Sequence, residues 1–151
     1  MDTIAGLAHL NTALDQLVVN HESHGFENVM QEVDHIASRA KGLTEKKFPA
    51  LLSFLRGLEE RRVVVAIKQR VAGTTVQHCY HRLQNLGVDA PWQRIIIGKM
   101  VLEYLLVDGA VDAAKTIAEK LVELKSGQPG QASKLRAELA AVFAERGVAW
   151  P

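Results

Sequence analysis

Apolar residues recur three and four apart along almost the whole chain, the spacing of one face of an α-helix. The first run is Leu7, Leu10, Leu14 and Leu17, and its seam would continue through His21 and His24. Gly25 interrupts it, and the pattern resumes shifted at Phe26, Val29, Val33, Ile36 and Ala40. This predicts one long helix from about residue 4 to 41, with a weak point or kink near Gly25. Lys41 and Gly42 form a helix stop.

Thr44 and Pro49 open the next element, a polar cap followed by a proline where a missing N–H costs little. A heptad seam follows: Phe48, Leu51, Leu55, Leu58, Arg62, Val65, Gln69, Ala72, Val76, Cys79, Leu83 and Leu86. Its phase never breaks, which predicts a continuous helix through Gly73–Thr74–Thr75 to a stop at Gly87. Such a seam calls for a second helix laid along it at a shallow angle. Arg62 and Gln69 are its polar members, placed to fix register or to mark where the partner helix ends. The short link between the two long elements suggests an antiparallel hairpin. Parallel pairing with another subunit satisfies the same pattern.

A third helix begins near Pro91, runs to about Val107 and stops at Asp108–Gly109. A fourth follows with Val111, Ala114, Ile117, Ala118 and Leu121 on one face. Ser126-Gly-Gln-Pro-Gly130 is a linker. The last helix, about Ala132 to Arg146, carries Leu135, Leu139, Val142 and Phe143 on one side. Trp150–Pro151 follow it, either loose or packed as a terminal plug. The fold class is therefore all-α: a long antiparallel helical hairpin or coiled coil, a short helical hairpin, and a C-terminal helix. The corresponding divisions are residues 1–88, 89–125 and 126–151. The β-branched run Val63–Val64–Val65 lies inside the helical pattern.

Composition supports this picture. Of 151 residues, 48% are hydrophobic and only 5% aromatic, with four prolines. Eighteen basic and seventeen acidic residues leave a formal charge of +1, so the concentrated positive charge that nucleic acid requires is missing. Arg56, Arg61, Arg62, Lys68 and Arg70 are interleaved with Glu59 and Glu60, as on a solvated helix face. The apolar segment Ile95–Val107 contains Lys99 and Glu103 and is too short to span a bilayer. One cysteine excludes an internal disulfide and suggests a reducing compartment. The first residues do not read as a signal peptide. The expected location is intracellular, cytoplasmic or nuclear.

The stretch Ile97-Gly-Lys-Met-Val-Leu-Glu-Tyr-Leu-Leu-Val-Asp-Gly-Ala-Val-Asp-Ala-Ala-Lys-Thr-Ile117 resembles a LisH motif. The resemblance rests on Met100–Val101, Tyr104–Leu105, Gly109, Ala113–Ala114 and Ile117. It departs at Ala110, often aromatic in the family, and at Ala113, often threonine. Gly109 can adopt positive φ and reverse the chain tightly, and Ala114 permits close helix approach. With Gln77-His-Cys-Tyr-His-Arg-Leu-Gln-Asn-Leu86 and Trp92-Gln-Arg94, the region is similar to the macrophage erythroblast attacher family. The similarity extends over roughly residues 7 to 121. That family supplies a RING-type subunit of the CTLH (GID) ubiquitin ligase.

The resemblance implies dimerisation through Ile97, Met100, Val101, Tyr104, Leu105, Gly109, Ala114 and Ile117. The long seam, with Leu51, Leu55, Leu58 and Leu83, would pair with a further helix. The family's CTLH and zinc-binding RING-like domains have no counterpart here, so its ligase site is not expected. The chain would be a fragment, an isoform or a small relative that keeps the assembly region.

Among other chemistry, His78-Cys-Tyr-His81 places two histidines on one helix face, and His21 and His24 flank Glu22. A zinc site needs three or four converging ligands. Cys79 lies on the apolar seam, pointing away from His78. The alternative reading is a metal- or ligand-binding bundle using His78, His81 and the N-terminal histidines. Set against it, His21 and His24 could form a polar layer opposite Gln69 or His81. No nucleophile constellation or phosphate-cradling loop is found. The expectation is a non-catalytic protein-interaction scaffold without a cofactor, forming a homo- or hetero-dimer and binding neither nucleic acid nor membrane.

Overall fold

The computed structural model describes residues 3–44 and 48–151. Among these residues there are seven α-helices and no strand. They are α1 (Thr3–Val19), α2 (Phe26–Lys41), α3 (Pro49–Lys68), α4 (Gly73–Gln84), α5 (Pro91–Val107), α6 (Val111–Glu123) and α7 (Pro129–Glu145). The all-α expectation is met. No helix among the described residues is long and apolar enough to cross a membrane. The chain forms two compact units, Met1–Val71 with His78–Gly87, and Ala72–Gln77 with Val88–Pro151.

In the first unit, α1, α2 and α3 all pack on one another. The single helix expected over residues 4 to 41 is instead two helices. α1 stops at Val19, where the Asn20 side-chain amide donates to the Gln16 carbonyl at 3.0 Å. This side-chain bond competes with helix continuation. A 3-10 turn, His21–Ser23, follows, and His24 and Gly25 are extended, with ψ of 151° and 155°. Gly25 has φ −68°, open to any residue, so the reversal does not depend on its being glycine. The polar run Asn20-His-Glu-Ser-His24 has only one buried member, His21. With so little apolar surface there, the segment serves better as a corner than as a helix.

The second expectation corrected is the unbroken helix through the heptad seam. α3 ends at Lys68, and Arg70 takes a left-handed conformation with φ 54°. The Arg70 N–H donates to Ile67 O at 3.1 Å and the Val71 N–H to Ala66 O at 3.3 Å. That is the Schellman pairing that closes a helix C-terminus. Thr74 and Thr75, β-branched, and Gly73 favour a restart over continuation. Pro49 occupies the first turn of α3 as expected, and Val63–Val65 are helical. The link expected around Thr44 runs into residues 45–47, outside the described residues.

The core of the first unit draws Leu7, Leu10 and Leu14 from α1. Val29, Val33, Ile36, Ala37 and Ala40 come from α2, and Leu51, Leu55, Leu58 and Val65 from α3. At about 1.5–3 kcal/mol for each large side chain fully buried, these contacts are the dominant stabilising term of the unit.

In the second unit α5 and α6 pack along each other and α7 lies against both. Asp108 ends α5, and Gly109 follows with φ 83°. The Gly109 N–H donates to Leu106 O at 3.1 Å and the Ala110 N–H to Leu105 O at 2.8 Å, again a Schellman closure. The reversal expected at Gly109 is present. Ala114 is fully buried. Trp150 is a packed plug: it stacks on Phe143 with ring centroids 5.3 Å apart, and the Arg136 guanidinium lies 5.4 Å from its ring centre.

Candidate interaction site

The seam residues chosen from the sequence as interface are inside the chain. Leu51, Leu55, Leu58 and Leu83 are all buried, the first three against α1 and α2 in the core of the first unit. In the second unit Ile97, Val101, Leu105, Ala114 and Ile117 are buried, and Met100 and Tyr104 are half-buried. Gly109 is exposed at the α5–α6 turn.

The polar members of the seam have partners in the same unit. Arg62 is buried and donates from Nε to Glu59, also buried, and from Nη2 to Asp34 on α2 at 2.9 Å. Arg82 on α4 donates to Glu59 from the other side, Nε to Oε2 at 3.2 Å. Burial alone would lower the Arg62 pKa; the Glu59 and Asp34 carboxylates outweigh that and raise it, so the guanidinium stays charged. Gln69 donates from Nε2 to the His21 carbonyl at 3.1 Å, with His21 Nδ1 at 3.0 Å from the same atom. The polar layer between His21 and Gln69 is thus present. No buried side-chain nitrogen or oxygen among the described residues lacks a partner.

The histidines considered as ligands are dispersed: His24, His78 and His81 are exposed, and His21 is engaged by Gln69. Among the described residues no three His, Cys, Asp or Glu side chains converge where an ion could sit. Cys79 is buried, and desolvation pushes its thiol pKa up.

Apolar surface is left uncovered at another place. Trp92 and Ile96, one turn apart on α5, are 61% and 52% exposed. They border a shallow groove of about 470 Å³, with Ile95 beside them and Leu135 of α7 opposite. Lys125, after α6, and Gln131, Lys134 and Glu138 of α7 supply the polar side. Val107, 64% exposed, lies further along α5. No protein family, curated protein or solved structure matches this chain.

The groove was missed in the sequence, although a signal for it exists. Ile95–Ile96–Ile97 are three successive apolar residues, and successive helix positions turn by about 100°. All three cannot face one core. The structure buries Ile97, half-buries Ile95 and leaves Ile96 outside.

Proposed function

We propose that this chain is a non-catalytic interaction and oligomerisation scaffold that binds protein chains through its second unit. One observation carries the reading: Trp92 and Ile96 stand exposed beside a groove with apolar and charged walls. Interface hot spots are enriched in tryptophan, and its truncation at such sites costs about 2 kcal/mol or more. Contiguous exposed apolar surface with a polar rim is also the usual mark of a docking face. The LisH resemblance of residues 97–117 supports a CTLH-type ubiquitin ligase assembly, in the cytoplasm or nucleus, as the setting.

The test compares proteins cross-linked to the tagged chain in its own cells with those cross-linked to Trp92→Ala/Ile96→Ser. The expected outcome is a defined set of partners, ubiquitin ligase subunits among them, whose recovery falls with the double substitution. Equal recovery by both forms would refute this site. A Trp92-dependent set without ligase subunits would leave the scaffold and remove the ligase setting.

A further inference from the structure

We infer that the groove face of the second unit is a two-fold self-association surface whose occupant is a second copy of this chain. The inference rests on the scaffold reading above and names the partner of that site. Trp92 and Ile96 form a knob at the rim of a hollow that Ile95 and Leu135 help to line. An isologous contact brings the same patch together twice, so each copy's knob meets the other's hollow and both apolar clusters are covered at once.

The charges on α7 fit the same arrangement. Lys134 and Glu138 both line the groove, one turn apart. The ion pairs of the second unit's described residues do not include either: Arg136 pairs with Glu119, at 3.9 Å, and leaves both groove charges unengaged. A lysine preceding a glutamate by four residues is also the weaker orientation for pairing along one helix. A two-fold axis perpendicular to α7, outside its groove face and level with the midpoint between Lys134 and Glu138, runs the two helices side by side and antiparallel. Lys134 of each copy then faces Glu138 of the other, twice. An acidic ligand in this groove would meet Glu138, and a basic one would meet Lys125 and Lys134. A second copy answers both signs.

The experiment measures mass by light scattering and sedimentation equilibrium on the full chain, at tens of micromolar and low salt. Wild type is expected at twice the monomer mass. Trp92→Ala/Ile96→Ser should weaken association by roughly a hundredfold or more, since each substitution counts twice in the dimer. Lys134→Glu alone and Glu138→Lys alone should each weaken it by roughly tenfold. The exchanged double variant, Lys134→Glu/Glu138→Lys, should recover wild-type association, and so should an equimolar mixture of the two single variants. With Trp92 removed, the blue-shifted emission of buried Trp150 reports that the unit is still folded.

A monomeric wild type at these concentrations overturns the inference, as does a dimer indifferent to Trp92 and Ile96. Failure of the charge exchange to restore association overturns the antiparallel contact. A monomer that still captures Trp92-dependent proteins from cells overturns self-association but keeps the scaffold.

Discussion

At the scale of single residues, Arg70 is the position where backbone and side chain disagree most. Its φ of 54° closes α3, a conformation that costs a residue with a Cβ about 1 kcal/mol relative to glycine. Arg70→Gly is therefore expected to raise stability by about 0.5–1 kcal/mol, read from the urea midpoint. A loss of stability would mean that residue 70 does not turn left-handed. Cys79 illustrates a different constraint. Desolvation raises its thiol pKa, so the folded chain holds the proton more tightly than the unfolded chain does. The stabilisation this linkage gives is complete below the ordinary thiol value of 9.0 and is lost as pH rises through the folded value. Wild type should lose stability relative to Cys79→Ala as pH is raised above 9.0, as followed by urea midpoints at successive pH values. A difference that stays constant with pH would contradict the burial of the thiol.

At the scale of elements, the buried charges decide how helices meet. Glu59 on α3 receives Arg62 from its own helix and Arg82 from α4, while Arg62 also reaches Asp34 on α2. Two carboxylates and two guanidinium groups thus tie α2, α3 and α4 together within the first unit. Glu59→Ala would leave Arg62 buried with only the exposed Asp34 carboxylate, a loss expected to cost about 3 kcal/mol in denaturant unfolding. Glu59→Leu/Arg62→Met should restore most of it, because an apolar pair leaves no charge in the core. If the double variant is as unstable as Glu59→Ala, packing around these residues matters more than their charge. The heptad spacing made Arg62 and Gln69 stand out as polar interruptions. His21 could be placed opposite Gln69 as a polar layer, but nothing in the spacing put Asp34 opposite Arg62, because Asp34 lies beyond the corner at Asn20–Gly25.

Taken as a whole molecule, the chain keeps most of its large apolar stripes to itself. The seam residues Leu51, Leu55 and Leu58 find their cover in α1 and α2, and Leu105 and Ile117 are likewise buried. Substituting charge at these positions therefore attacks folding rather than assembly. Leu105→Asp should abolish the cooperative melt of the second unit and shift Trp150 emission to the red, since an unpaired carboxylate would enter a fully buried site. A folded, merely dissociated Leu105→Asp protein would show that Leu105 faces a partner instead. Trp92 and Ile96 are the positions where substitution should change association with the fold kept.

The helical character of every element was legible in the residues themselves: Ala, Leu, Glu, Lys, Gln and Arg at three-and-four spacing fix the local conformation through entropy and a single buried face. So were the starts at Pro49 and Pro91 and the stop at Gly109, which are properties of one or two residues. Tertiary structure alone decided what the faces meet. A period says that a stripe must be buried, yet burial against α1 and α2 or against another chain satisfies it equally. In the first unit the corner at Asn20–Gly25 settled that choice, because a straight rod cannot cover its own seam and a bent one can. In the second unit the packing of α6 and α7 on α5 leaves Trp92 and Ile96 outside, and only those neighbours distinguish an exposed isoleucine from a buried one.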